Sequence, residues 1–286
     1  MTASFPPLAA PFDRTGFGAL RAAFVAAPHE TIALLQPTHG ESHAIAERAR
    51  EQFGVFTSRL RAFGVATASP VGEIAGSLIA DCAVVFADGA FVMRPSDVRR
   101  RGEVAGVEAE LGKAGVPIVG RIEAPGLLDG GDVLVGGDRI FIGVPVRKRS
   151  EQGVPIGLHG NALGREQLAA YARSQGFTVV EIAMDASVVR LRSVAAFVDA
   201  GTAVIAPRVL DATAFAGLET IDVPFGEEYG AGLLAIGPRR VLANVRFREM
   251  LPRLRRARIA VDAIDLWEFG KVGVTPSIMA LSLKRG

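Results

Sequence analysis

Residues that build most chemically active sites are scarce in this chain. Of 286 residues, one is cysteine, one tryptophan, two are tyrosine and four are histidine. A single thiol, Cys82, excludes an intramolecular disulfide and fits a reducing, cytoplasmic setting. His39 and His43 have the spacing of helical metal ligands, but Gly40 stands between them and no third ligand is near. A polar helix start is the simpler reading, and no metal is expected. Charge of one sign is also lacking: 32 Lys and Arg face 30 Asp and Glu, net +2. That balance carries no electrostatic footprint for nucleic acid or a membrane surface. No apolar run approaches the roughly 20 residues of a membrane span. The opening "MTASFPPLAAPFDRTG" lacks the charged region and apolar stretch of a signal peptide. There is no Walker A sequence. "GFGAL" at 16–20 lacks the third glycine and preceding strand of a dinucleotide loop, and reads as a linker. No cofactor is expected. The basic run "RLRRAR" at 253–258 reads as a solvated helix face.

Apolar residues (49%) and 33 glycines are abundant, and they recur in a pattern. Short apolar runs broken by Gly/Asp turns predict hairpins at 83–95, 132–143, 195–207 and 232–244, the last turning at Gly237-Pro238. A helical stretch follows each: "RRRGEVAGVEAELGKAG", "GREQLAAYARSQG", the shorter "LDATAFAG", and "RFREMLPRLRRA", where Pro252 starts or kinks the helix. Each helix leads to one more β-like run. The unit is strand, strand, helix, strand, four times over. A fifth unit comes from the two ends, with residues 19–28 pairing with "IMALSLK" at 278–284 and "ESHAIAERAREQFGVFTSRLRAFG" as its helix. Five units close a ring with no free edge at the seam. The expected organisation is an N-terminal extension over 1–18 and a single domain over 19–286. An insertion at 147–160 would lie over one mouth.

The stretch "EAPGLLDGGDVLVGGDRIFIG" at 123–143 sets Asp129, Asp132 and Asp138 among six glycines. From the residues alone these acids could be turn formers, metal ligands or parts of a site.

Together, the ring and "LLDGGDVLVGGDRIFIG" resemble the dimethylarginine dimethylaminohydrolases. That family sits with arginine deiminases and amidinotransferases in the guanidino-group-modifying superfamily, the penteins. "LIADCAVVFADGAFVMRPSDVRRRGEV", "GNALGREQLAAYARSQG", "VVRLRS" and "LWEFGKVGVTPSIMALSL" extend the resemblance from about Ala19 onward. It implies an α/β fold, a five-bladed α/β propeller of ββαβ repeats with pseudo-fivefold symmetry. It implies a hydrolase acting on C–N bonds of linear amidines. A cysteine thiolate attacks the guanidinium carbon, histidine supplies a proton to the leaving amine, and water releases a ureido product. The family's acids hold the guanidinium and its arginines hold the substrate carboxylate.

Carried over residue by residue, the substrate-binding set is Asp81, Asp129, Arg100 and either Arg147 or Arg149, with Asp132 more structural. The catalytic set departs from the family. Ala80 stands at the first acid of the acidic pair, Arg190 at the histidine, and Ile278 or Ala280 at the cysteine. Arginine does not shuttle protons near neutral pH, and neither Ile nor Ala is a nucleophile. A guanidinium at position 190 is expected to fall within salt-bridge distance of Asp81 or Asp129 and to mimic a substrate.

Three readings follow: a non-hydrolytic homologue that keeps part of a guanidino site, an active C–N hydrolase with a relocated nucleophile, and a scaffold or interaction protein. For the second, Cys82 is the thiol candidate, Thr275 and Ser277 the hydroxyl candidates, and His159 the base. A small guanidino ligand is the expected partner. Monomer and homodimer both stay open, dimers being common in the family.

Overall fold

The two ends of the chain meet in one sheet. In the computed structural model, which describes residues 6–38, 41–70, 77–146 and 159–286, β1 (Leu20–Val25) is a central strand. It runs parallel to β2 (Ala66–Ala68) and antiparallel to the last strand, β15 (Ala280–Arg285). Four further sheets repeat the plan in chain order. β3 (Ala83–Val85), β4 (Ala90–Val92) and β5 (Ile118–Arg121) make the second; β6 (Val133–Gly136), β7 (Arg139–Val146) and β8 (Thr178–Asp185) the third. β9 (Ala195–Phe197), β10 (Thr202–Ile205) and β11 (Glu219–Asp222) make the fourth; β12 (Leu234–Gly237), β13 (Arg240–Asn244) and β14 (Ala260–Ile264) the fifth. In each, the middle strand pairs antiparallel on one side and parallel on the other. This is the mixed α/β five-bladed ring expected from the repeats.

Helices cover the outside because their apolar residues recur on one stripe. In α1 (Ala46–Ala62), Ala49, Phe56 and Leu60 are fully buried; in α2 (Arg101–Lys113), Val107 and Leu111 are. The larger of these, Phe56, Leu60, Val107 and Leu111, each contribute about 1.5–3 kcal/mol on burial. α3 (Ala162–Ser174) turns Gly164, Leu168 and Ala172 inward at four-residue steps. Its start is fixed by Asn161, whose side chain accepts from Gly164 N at 2.9 Å and from Leu127 N at 3.0 Å. α5 (Met250–Arg256) carries Pro252 within its first turn, so Pro252 starts this helix rather than kinking it. The fourth blade has only a 3-10 turn, Ala212–Phe215.

Two expectations need correction. The fifth-blade hairpin turns at Pro238-Arg239, with Arg239 at φ 52, because Gly237 still pairs with Arg240. The stretch read as a linker, 16–20, is strapped down: Gly16 N donates to Asp13 at 3.1 Å, Gly18 O accepts from Arg285 at 2.7 Å, Ala19 N donates to Gly286 O at 3.0 Å, and Leu20 opens β1.

Candidate functional site

Three consecutive blades place their entering turns side by side. Ile79–Asp81 is a 3-10 turn before β3, and Gly130–Asp132 is another before β6. Arg190 precedes α4 (Leu191–Val194), the one-turn helix before β9. The three turns pack against one another. Glycine makes this approach feasible: a Cβ on Gly130 would lie 2.1 Å from Ala80 O, and one on Gly131 would lie 2.6 Å from Asp81 Oδ1 and 2.8 Å from Arg190 Cγ.

Arg190 forks between two acids. Its Nε lies 3.0 Å from both Asp81 oxygens, and its Nη2 donates to Asp81 Oδ2 and Asp129 Oδ1, each at 2.9 Å. Nη1 donates to Val189 O at 2.7 Å. Asp81 and Asp129 are fully buried, and Arg190 is 4% exposed. The pairing expected for Arg190 is met on both acids.

Asp81 also takes Arg100 Nη1 at 2.5 Å and Gly131 N at 3.0 Å. Asp129 accepts from Ser96 N at 3.2 Å and from the Ser96 hydroxyl. Burial alone raises a carboxyl pKa, but at Asp81 the Arg190 and Arg100 guanidinium groups outweigh it and hold the group at about 2. At Asp129 burial wins. Arg190 offsets part of it, Asp81 and Asp132 add repulsion, and the carboxyl sits at about 6.

Arg100 turns inward. Nε and Nη2 bind Glu103 at 3.2 and 2.8 Å, Nη2 also reaches Leu78 O at 3.0 Å, and Nη1 holds Asp81. A guanidinium so engaged braces the acid cluster and has little left to offer a substrate carboxylate. Arg147 and Arg149, the alternatives for that task, lie outside the described residues, as does His39. His43 Nδ1 lies 3.1 Å from Ala33 O, to which the protonated nitrogen donates.

Cys82 is fully buried in an apolar cluster, and burial pushes its thiol far above the ordinary range, so a thiolate is disfavoured there. Ile278 and Ala280 are fully buried, and Ile278 O accepts from Ala80 N at 3.3 Å. Thr275 and Ser277 are buried and joined to each other at 3.0 Å, and Ser277 Oγ donates to Arg192 O at 2.6 Å.

One pairing escaped the sequence reading. Asp132, fully buried, accepts from Leu191 N at 3.0 Å and from His159 Nδ1 at 2.9 Å. Burial opposes the imidazolium, Asp132 more than offsets it, and the His159 pKa rises. Among the described residues, buried His159 Nε2 has no hydrogen-bond partner. Ser96 and Glu103 were likewise missed: they are ordinary polar residues whose partners come from other turns, and no motif marks them.

Over Arg190 and Arg100 lies a cavity of about 290 Å³, walled by Leu34, Leu35, Leu78, Val189, Val272 and Val274. Among the described residues no cluster of three or more His, Cys, Asp or Glu could hold a metal, and no helix is long and apolar enough to cross a membrane.

No family model matches the chain. The N(G),N(G)-dimethylarginine dimethylaminohydrolase of Streptomyces coelicolor is 29% identical over 269 residues, 92% of this chain and 96% of that protein. A Pseudomonas aeruginosa dimethylarginine dimethylaminohydrolase, solved as a cysteine-to-serine mutant with citrulline, superposes with a TM-score of 0.79 at 21% identity, covering 92% of this chain and 99% of that one. An amidinotransferase of saxitoxin biosynthesis from Microseira wollei gives 0.78 at 14% identity, covering 96% and 97%. The relatives and structural neighbours of this chain are thus dimethylarginine dimethylaminohydrolases and amidinotransferases, and its five-bladed ring has the pentein fold that they share.

Proposed function

We propose that this chain is a non-hydrolytic homologue whose guanidinium cradle is filled by its own Arg190. The observation that carries the reading is the fork of Arg190 on Asp81 and Asp129. Two buried acids without a cation would repel each other and bear the full cost of desolvation. A guanidinium matches them in charge and geometry, as a substrate guanidinium would. The resemblance puts Arg190 at the position of the family's proton-transferring histidine, so one substitution both removes that group and occupies the cradle. At the family's cysteine position, neither Ile278 nor Ala280 offers a nucleophile. A small guanidino ligand reaches Asp81 and Asp129 only by displacing Arg190, and the cavity over Arg190 is its route. The single buried thiol fits a cytoplasmic protein.

A second reading, a C–N hydrolase with relocated machinery, draws support from the Asp132–His159 pair. The imidazole, with Nδ1 on Asp132 and no Nε2 partner among the described residues, has the form of an acid–base group held by a carboxylate. One assay tests both readings: the purified chain is incubated with arginine, methylated arginines and agmatine, and ureido product is measured. The expected result is none above the protein-free control. Product lost in His159→Asn would overturn the first reading in favour of the second, and its loss in Cys82→Ala would identify the thiol as the nucleophile.

A further inference from the structure

Arg190 and Arg192 are two residues apart and serve opposite compartments. Arg190 borders the cavity above the acids, whereas Arg192 borders a second one of about 60 Å³ on the ring axis. The first or last strands nearest the axis, β3, β6, β9, β12 and β15, all contribute to its wall. Its polar groups are Arg192, Arg285, Asp13, Ser277 and Ser282.

The two arginines are matched unequally. Arg285 Nε donates to Asp13 at 2.8 Å, Nη1 to Gly18 O at 2.7 Å and Ala235 O at 2.8 Å, and Nη2 to Ser282 Oγ at 3.0 Å. Among the described residues Arg192 has one such bond, from Nη2 to Ser277 O, and no carboxylate lies within salt-bridge distance of it. Burial, and after it the charge of Arg285, lowers the Arg192 pKa to about 10, which still leaves a full cation at neutral pH. Asp13 is committed to Arg285 and to Gly16 N, at 3.1 Å. The cavity wall therefore carries two positive charges against one negative. Ser277 spends its proton on Arg192 O. Ser282 Oγ accepts from Arg285 and keeps its own proton to donate.

We propose that this axial cavity binds a small inorganic monovalent anion of chloride size, held by the Arg192 guanidinium and the Ser282 hydroxyl. A half-buried guanidinium with one acceptor and no facing carboxylate is incompletely satisfied, and an anion completes it where the protein supplies no counter-charge. The cavity, about 60 Å³, is the smaller of the two and favours a compact ligand. One guanidinium and one hydroxyl match a halide or nitrate better than a doubly charged sulfate or a larger guanidino acid. The inference is independent of what occupies the acid cradle.

The test is thermal unfolding of the chain, residues 1–286, at constant ionic strength while sodium gluconate is replaced stepwise by chloride. Tm is expected to rise saturably by about 2 °C or more. Bromide and nitrate should reproduce the rise, sulfate should not, and Arg192→Met should abolish it. Superimposable chloride and gluconate curves, or an undiminished response in Arg192→Met, would overturn the proposal. Should that variant not fold, wild-type crystals soaked in bromide decide the matter by anomalous scattering. A peak beside the Arg192 guanidinium is expected, and an axial cavity without one sinks the idea.

Discussion

Arg190 is held by groups that differ in how firmly they keep their own charge. Asp81 faces two guanidinium groups and stays ionised to about pH 2, whereas burial raises Asp129 to about 6. The signs are opposite. An unfolded aspartate titrates at about 3.9, so Asp129 favours folding in its protonated form. Its contribution is complete below about pH 4 and is lost as pH rises through 6. That of Asp81 is present above about pH 4 and is lost as pH falls through 2. Asp129→Asn cannot ionise, so it should gain stability relative to wild type between pH 4 and 7, by about 1–3 kcal/mol. Denaturant midpoints for both proteins across that range check this, and parallel curves would refute it. The Ser96 and Glu103 contacts were not legible in the sequence, because each depends on which blade lies beside which. Asp81, Asp129 and Arg190 were legible, because they stand in motifs of known order along the chain.

At the scale of the element, the stretch at 123–143 resolves into separate jobs. Asp129 grips Arg190, Asp132 orients His159 and Leu191, and Gly137-Asp138 forms the hairpin turn. The glycines divide as well. Gly131 is needed for close approach, whereas Gly137, at φ 67, has open space around a would-be Cβ. Gly131→Ala should push Asp81 and Arg190 apart and cost about 2–3 kcal/mol by overpacking. Gly137→Asn should cost under about 1 kcal/mol, since Asn tolerates the left-handed region. Equal losses in the two variants would contradict this division. The hairpins themselves could be read from alternating apolar runs and Gly/Asp turns. The turn at Pro238-Arg239 could not, because Gly237 looks like a turn residue yet remains in the ladder.

Over the whole molecule, closure of the ring brings distant sequence together. β1 and β15 seal the first blade, and turns from separate blades converge on one cluster. The repeat made the closure readable, since four copies of one unit leave the two ends to complete a fifth. The depth of burial was not readable, and it is what makes an internal guanidinium so effective a counter-charge. The most direct measurement is thermal unfolding of wild type and Arg190→Ala with millimolar methylguanidinium. Removing Arg190 strips the acids of their cation and should cost about 3–5 kcal/mol. The variant should then recover stability saturably as methylguanidinium enters the vacated cradle, and wild type should not respond. A wild type stabilised as strongly as the variant, or a variant that gains nothing, would contradict the claim that Arg190 occupies the guanidinium site.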